Sequence, residues 1–337
     1  MDTDWQEFLL SQGALGDATG VLDFPAEAGA TTHLHDLSRL GLIVVSGADA
    51  ERFLQGQFTN DLRQVTEDRA QPSGWCNPKG RLLASFQLLR RDQDYVLQLP
   101  AELLEPVLKR LRLFVLRSQV KLDQAGGRWP RIGIAGPDAP DLLARSLGTP
   151  PEQDWGLARI GDLSLVRLPG GGLPRFEILG PAAPLANLWL RLAVDAQPGC
   201  WDDWALLDIR AGLATILPAT VEAFVPQMVH LDQIGGVSFT KGCYSGQEVV
   251  ARLHYLGKAK RGLFRARLVA DRRPLAGDLL HDPAGATVGQ VVDARPTAPD
   301  RHELLLVADI GAAEAGGLCL GNLGPALELL DLPGSTS

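Results

Sequence analysis

The sequence predicts an α+β fold, in which helices and antiparallel strands follow one another without the regular alternation of a doubly wound sheet. One segment repeats apolar residues every four positions, as an amphipathic helix does, and short β-like runs bounded by Gly, Pro and Asp occupy much of the rest. The 337 residues are 45% hydrophobic and 21% charged. This composition excludes a disordered or collagen-like protein, because it supplies enough apolar side chains for packed cores.

The first two thirds of the chain contain predicted strands and helices in mixed order. Residues 1–30 lack clear periodicity, so we expect a loosely held N-terminal segment there. The helix after Pro100 is the clearest, since Leu103, Val107 and Leu111 share one face. The other predicted elements are a strand at 42–45, a helix at 48–54, a hairpin with strands at 75–76 and 81–89, strands at 95–99 and 131–136, and a helix at 139–147.

After Lys258 the pattern changes to short β-like segments separated by turns. Several antiparallel strands of this length are typical of a small barrel. We therefore predict a C-terminal β-barrel built from segments 261–270, 278–281, 286–294, 303–310 and 326–331.

Charge and cysteine spacing limit the chemistry that we expect. Lys and Arg number 32 and Asp and Glu 40, so the net charge is −8, which does not favour non-specific nucleic-acid binding. The four cysteines have no CxxC spacing, and we predict no metal site. The first residues are acidic where a signal peptide is basic, and no apolar run approaches the ~20 residues of a membrane helix. A cytoplasmic protein without membrane contact is expected.

The most informative stretch is the octapeptide KGCYSGQE at 241–248. Two glycines bracket Cys243 and Tyr244 just before an amphipathic segment, which predicts a tight turn at a helix N-terminus. A thiolate there, beside Lys241, would be stabilised by the helix and by the ammonium. The alternative is a plain helix start with Cys243 as a small buried hydrophobe.

These eight residues resemble the K-G-C-[FY]-x-G-Q-E signature of the YgfZ-type folate-binding proteins. Further segments agree with that family in order and spacing, so residues 33–330 are identified as similar to it. They are Gly47-Ala48-Asp49, QGQFTND at 55–61, CNPKGR at 76–81, FVPQ at 224–227 and GGVSF at 235–239.

The family is similar in fold to the glycine-cleavage T-protein, an aminomethyltransferase that uses tetrahydrofolate. The resemblance therefore implies a three-domain cloverleaf around a folate pocket, with a small C-terminal β-barrel. We expect an N-terminal segment at 1–32, a folate-binding core formed by 33–125 and 200–257, a second α+β subdomain at 126–199 and the barrel at 258–337.

The resemblance implies a folate-binding accessory protein that supports assembly or repair of iron–sulfur enzymes, including enzymes that methylthiolate tRNA. Tetrahydrofolate or a related reduced folate is the expected cofactor, and iron–sulfur enzymes or assembly proteins are the expected transient partners. The T-protein carries an acidic pair after a Gly-Gly turn, but the corresponding residues 80–86 contain no carboxylate, so aminomethyl transfer is not expected. The alternatives are a tetrahydrofolate-dependent one-carbon transferase that uses Asp61 or Glu248, and a scaffold without ligand.

The resemblance also assigns site residues. Cys243 is the expected functional thiol and Lys241 the residue that tunes it. Trp204 stands at a folate-contacting tryptophan of the family, and its indole face can stack on a pterin, although core packing is the alternative. Leu40 replaces the family's other such tryptophan. The remaining expected folate-binding residues are Gln57, Asp61, Tyr244, Gln247, Glu248 and Arg252.

Residues 251–267 contain six Lys or Arg and no acid. This basic segment would suit a folate polyglutamate tail or an acidic partner, and the alternative is a solvated linker followed by a strand with outward charges. Aromatic residues are too few in it to favour direct nucleic-acid binding.

Overall fold

A computed structural model describes residues 3–16, 22–25, 31–125, 127–257 and 259–333. Within these ranges, helices and strands are interspersed along the chain, as the sequence predicts. The helices are α1 (Thr3–Ser11), α2 (Ala50–Gln55), α3 (Ala101–Arg112), α4 (Ala139–Ser146), α5 (Ala182–Leu192), α6 (Trp201–Ala211), α7 (Gln247–Leu256) and α8 (Ile310–Ala315). Short 3-10 turns lie at Leu62–Gln64, Pro218–Thr220 and Pro226–Val229.

The strands of the described residues are mostly short and antiparallel. The first ten are β1 (Leu15–Gly16), β2 (Leu22–Asp23), β3 (His33–Asp36), β4 (Leu40–Ser46), β5 (Gln71–Cys76), β6 (Leu82–Arg91), β7 (Asp94–Pro100), β8 (Lys121–Gln124), β9 (Arg131–Ala135) and β10 (Leu157–Ile160). The others are β11 (Leu163–Leu168), β12 (Arg175–Leu179), β13 (Gln197–Pro198), β14 (Arg261–Val269), β15 (Leu279–His281), β16 (Thr287–Ala298), β17 (Arg301–Asp309), β18 (Cys319–Leu320) and β19 (Glu328–Leu330).

The chain divides into two compact units, each made of separate segments. Unit 1 comprises the described parts of 1–50, 63–71 and 87–205, and unit 2 those of 51–62, 72–86 and 206–337. The four-part division expected from the sequence stays a prediction.

Unit 1 is built around a six-stranded sheet with the order β10-β11-β12-β9-β3-β13. Helices α1, α4 and α5 contribute to its apolar core. The expectation of a loosely held N-terminal segment is wrong for residues 3–16, because Trp5 and Leu9 are 1% and 0% exposed in this core. The pattern that indicates this helix is the i, i+3, i+4 spacing of Trp5, Phe8 and Leu9, which form a short apolar stripe.

A second sheet has the order β5-β6-β7-β4-β8. The predicted hairpin, the strand after it and the helix after Pro100 are all present as β5, β6, β7 and α3. Leu103, Val107 and Leu111 are buried, as their period requires.

The C-terminal part of unit 2 is a six-stranded antiparallel sheet with the order β18-β15-β16-β17-β14-β19. Its strands match all five predicted segments, and β18 and α8 are additions that the sequence did not indicate. Leu268, Leu304 and Leu306 lie in its core. Closure into a barrel stays a prediction. In the described ranges, no helix is both long and apolar enough to cross a lipid bilayer.

Candidate functional site

Three sequence motifs meet inside unit 2, and the first is the turn between β5 and β6. The Asn77 side chain shapes this turn, because its Oδ1 accepts the backbone N–H groups of Lys79 at 2.8 Å and Arg81 at 3.0 Å. Gly80 has φ 71°, a left-handed conformation that glycine adopts without strain.

The octapeptide packs its second glycine directly on this turn. A Cβ on Gly246, which has φ 83°, would lie 2.4 Å from the Asn77 carbonyl oxygen and 2.9 Å from the Gly80 Cα. A Cβ on Gly80 would in turn lie 2.8 Å from the Cβ of Val249 in α7. Both positions thus require glycine, because the packing leaves no room for a Cβ and because φ is positive.

Lys241 anchors the octapeptide to the QGQFTND segment. The residue is 5% exposed, and its Nζ donates to the carbonyl oxygens of Phe58 and Asn60, both at 2.8 Å. The same ammonium lies 5.3 Å from the centroid of the Tyr244 ring. Its positive charge is therefore directed into the base of the loop.

The QGQFTND segment is also bound to the glycine pair that precedes the octapeptide. Thr59 Oγ1 donates to the Gly236 carbonyl at 2.7 Å and accepts the N–H of Gly74 at 2.9 Å. Asn60 Nδ2 donates to the carbonyls of Pro72 at 3.0 Å and Gly235 at 2.6 Å. These bonds give Thr59 and Asn60 the structural role that their turn-forming side chains allow.

Cys243 is exposed, whereas the residues on either side of its turn, Lys241 and Tyr244, are buried. The alternative in which Cys243 is a buried hydrophobe is therefore wrong. The thiol lies four residues before the first residue of α7, not on the helix itself. Burial raises the pKa of the Tyr244 hydroxyl, which keeps this side chain neutral.

Cys76 opens the turn at the foot of the loop and contrasts with Cys243. It is 1% exposed, and burial raises the pKa of its thiol to about 12. A thiol of this kind is inert at neutral pH because the thiolate is the reactive form. Within unit 2, Cys243 is therefore exposed to solvent on the octapeptide loop, whereas Cys76 is buried at the end of β5.

The polar folate candidates of unit 2 are partly buried. Asp61 is 5% exposed and accepts from Gln55 Nε2 at 2.9 Å. Gln57 is half-buried, and its Oε1 is a buried acceptor that has no hydrogen-bond partner among the described residues. Gln247 is half-buried at the start of α7, and Glu248 and Arg252 are exposed on that helix.

Trp204 belongs to unit 1, where it is 2% exposed on α6. Its ring packs on β9, since a Cβ on Gly133 would lie 2.4 Å from the ring. The Arg175 guanidinium carbon lies 4.8 Å from the ring centroid, and the His35 ring 5.5 Å from it. The Trp204 side chain is therefore packed in the core, and its contact with folate stays a prediction.

Leu40 is also in unit 1, as the half-buried first residue of β4. Its carbonyl oxygen accepts a hydrogen bond from the buried Arg131 guanidinium, which also bonds the carbonyl of Leu37. The leucine side chain itself has no polar group to offer a ligand.

A buried polar layer around Trp204, which we call the Trp204 layer, was not predicted from the sequence. It comprises His35, Arg131, Arg175, Glu177 and Trp204. Burial lowers the pKa of His35 to about 4 and, on the opposite face of β3, raises the pKa of Asp36. The signal that was available is the placement of charged residues at the ends and centres of otherwise apolar strands, as in RIGIA (β9) and RFEIL (β12).

The basic segment is largely neutralised where it forms β14. Arg265 lies 3.7 Å from Glu303, and Arg267 makes two 2.6 Å hydrogen bonds to Glu328. These contacts favour the interpretation of a strand with outward charges. Lys258 lies outside the described residues.

Potential metal ligands are not clustered: among the residues that the structure describes, no three His, Cys, Asp or Glu side chains are placed to hold an ion.

Known proteins are similar to this chain in sequence and in fold. Residues 27–161 match the family model described as the GCVT N-terminal domain. The chain is 36% identical over 233 residues to "tRNA-modifying protein YgfZ" of Colwellia psychrerythraea, an alignment that covers 69% of this chain and 71% of the relative. It is 35% identical over 240 residues to the protein of the same name from Edwardsiella ictaluri, covering 70% and 71%.

A solved structure is similar over nearly the whole chain. It is the glycine cleavage system aminomethyltransferase T from Bartonella henselae, with a TM-score of 0.73, 18% identity and coverage of 99% of this chain and 98% of the other. At this level of identity the similarity establishes the fold alone. The α+β fold predicted from the sequence is thus of the aminomethyltransferase T type.

Proposed function

Because the chain belongs to the YgfZ family of proteins named as tRNA-modifying, we propose that it is a folate-binding accessory protein for iron–sulfur enzymes, including those that methylthiolate tRNA. The observation that carries the proposal is the exposed Cys243 on a loop whose base is buried and hydrogen-bonded. A thiol held in this way is available to a partner yet fixed in position. The three-domain cloverleaf, the closed barrel and a cytoplasmic location, where tRNA is modified, belong to the same proposal.

Cys243 is the functional thiol in this proposal. Lys241 acts on it as a positioning residue, because its ammonium holds the carbonyls of Phe58 and Asn60 and so fixes the start of the loop. One thiol from each chain cannot hold an iron–sulfur cluster alone, so Cys243 would act together with ligands from a client enzyme.

The residues of unit 2 fit a reduced folate in one specific respect. Gln57 Oε1 is a buried acceptor without a partner among the described residues, and the pterin ring carries N–H groups that could donate to it. Asp61, Tyr244, Gln247 and Glu248 would complete the polar contacts, and the exposed Arg252 would meet a glutamate carboxylate. Contacts of Leu40 and of Trp204 with folate stay predictions of the family resemblance. When bound, the folate would supply a carrier for one-carbon groups.

The stretch that corresponds to the T-protein's acidic pair supports an accessory role over aminomethyl transfer. Residues 80–86 contain no carboxylate, and the Ser85 hydroxyl within them accepts the N–H of Ile216 at 3.0 Å and donates to the Ala214 carbonyl. This position holds the backbone together and offers no general base. A one-carbon transferase would have to use Asp61 or Glu248 instead.

Complementation tests the thiol. In a bacterial strain that lacks its own copy of this protein, we expect the wild-type chain to restore methylthiolated tRNA nucleosides, measured by mass spectrometry, and Cys243→Ser to fail. Cys319→Ser is the matched control in the same unit, and we expect full restoration from it. Equal restoration by Cys243→Ser would refute the thiol role.

Anaerobic titration calorimetry tests the folate. We expect saturable binding of tetrahydrofolate that is weakened by Gln57→Leu and by Trp204→Ala, with triglutamyl tetrahydrofolate preferred over the monoglutamyl form. The thermal midpoint of each variant shows whether it is folded. If the folded wild type binds neither form, the folate part of the proposal and the one-carbon alternative both fail.

A further inference from the structure

An exposed apolar and basic surface lies at the end of α3 in unit 1, far along the chain from the octapeptide. Residues 109–117, with the sequence KRLRLFVLR, contain four cations and no acid, although the whole chain has a net charge of −8. Leu113, Phe114 and Leu116 are 71%, 45% and 89% exposed. We call this stretch the 109–117 surface.

The backbone presents these side chains in a defined conformation. The chain leaves α3 in tight turns, with the N–H of Phe114 bonded to the Leu111 carbonyl at 3.0 Å and that of Ser118 to the Val115 carbonyl at 2.8 Å. Leu116 has φ 44°, a left-handed conformation that is costly for a branched side chain. An ordered turn thus holds Leu113 and Leu116 in water, and contiguous apolar exposure of this kind marks interaction surfaces.

The charges indicate that the occupant is anionic. Two nearby carboxylates are engaged by other groups, since Asp49 accepts the N–H of Gln119 at 2.8 Å and Asp123 pairs with Lys121 at 2.6 Å. A two-fold contact with a second copy would place the four cations against themselves, so self-association through this surface is disfavoured. An acidic partner is the complementary choice.

The apolar centre distinguishes a protein from a nucleic acid. Protein interfaces have an apolar core surrounded by polar and charged residues, Arg among them, which is the composition of the 109–117 surface. Surfaces that bind single-stranded nucleic acid combine cations with several aromatic stacking groups, and in residues 109–117 Phe114 is the sole aromatic residue. We infer that the 109–117 surface docks the iron–sulfur client enzyme through an acidic surface with an apolar groove, an inference that rests on the proposed function.

Binding measurements with the full chain test this directly. The probe is the purified tRNA-methylthiolating iron–sulfur enzyme of the complemented strain, with affinity measured at low and high salt. We expect Leu113→Ser/Leu116→Ser to weaken binding about tenfold or more, Lys109→Glu/Arg117→Glu to weaken it and remove its salt dependence, and Leu190→Ser/Leu323→Ser to have no effect. Leu190 and Leu323 are matched controls because they are 49% and 93% exposed.

Complementation separates the inference from the proposed function. If the wild type restores methylthiolation and the two 109–117 variants do so equally, the docking inference is overturned and the proposed function stands. If the wild type itself restores nothing, the proposed function fails. Retained client binding by folded 109–117 variants would also overturn the inference. So would loss of binding only to unmodified tRNA or to phosphatidylglycerol vesicles, since the occupant would then be RNA or lipid.

Discussion

The Trp204 layer of unit 1 and the octapeptide loop of unit 2 both contain residues that family resemblance marks as functional. The two regions differ in the solvent exposure of these residues. In the layer, Trp204, His35 and Arg175 are almost completely buried. In the loop, Lys241 and Tyr244 are buried while Cys243, between them, is exposed. The difference separates motif residues that pack inside the fold, such as Trp204 and Lys241, from Cys243, which is accessible to solvent.

Thiol reactivity gives the largest expected contrast. Burial raises the pKa of Cys76 and of Cys200, which precedes Trp204, to about 12. About 10⁻⁴ of such a thiol is thiolate at pH 8, and the thiolate is the nucleophile. We expect iodoacetamide to alkylate exposed Cys243 at least about 10³-fold faster than either of them, measured by peptide mass spectrometry. In urea the difference should vanish, and rapid labelling of Cys200 in the folded chain would break the comparison.

The glycine contact under the loop should give the next largest effect. Gly246→Ala adds a Cβ 2.4 Å from the backbone carbonyl oxygen of Asn77, and this oxygen belongs to a tight turn that cannot move away freely. The φ of 83° is also strained for alanine. We expect a loss of about 3 kcal/mol in the free energy of unfolding, measured with urea. Gly242→Ala is the matched control in the same loop, because its Cβ would meet nothing within 4 Å. A similar stability for both variants would contradict the tight packing.

The Trp204 layer should reveal itself through pH. Because burial holds the pKa of His35 at about 4, below its ordinary value of 6.5, the unfolded chain takes up a proton first as pH falls. The contribution of neutral His35 to the free energy of unfolding is therefore fully present above pH 6.5. It decreases by about 3 kcal/mol as the pH falls to 4. Urea unfolding at several pH values measures this slope, and we expect it to flatten in His35→Gln. Equal slopes in the wild type and His35→Gln would refute the assignment.

The buried ammonium of the loop should give the smallest of these effects. Lys241→Met leaves the carbonyls of Phe58 and Asn60 without their donor in a buried position. We expect the free energy of unfolding to fall by about 2 kcal/mol, whereas Lys79→Met, at an exposed position, should leave it unchanged. A stable Lys241→Met variant would show that the loop holds its shape without the ammonium.

Much of the local structure was predictable because it depends on short-range patterns. The five β-like segments after Lys258, the hairpin around residues 77–80 and the helix α3 all follow the expected periods. The same approach failed for α1, since its apolar stripe spans only nine residues and its stability comes from packing in the unit 1 core.

The candidate site was predictable only as a set of motifs. Lys241 and Cys243 were expected to act side by side, but the Lys241 ammonium bonds carbonyls of a segment about 180 residues earlier. No local pattern contains such a contact. The Arg267 pairing with Glu328 and the Trp204 packing on Gly133 are likewise long-range.

The sequence by itself determined many of the local elements, the family and the identity of the residues that can carry chemistry. The tertiary structure alone decided which of them face solvent: Cys243 does, while Cys76, Lys241 and Trp204 do not. The physical reason is that periodicity is set by neighbours along the chain, whereas exposure and close approach are set by residues that folding brings together from distant positions.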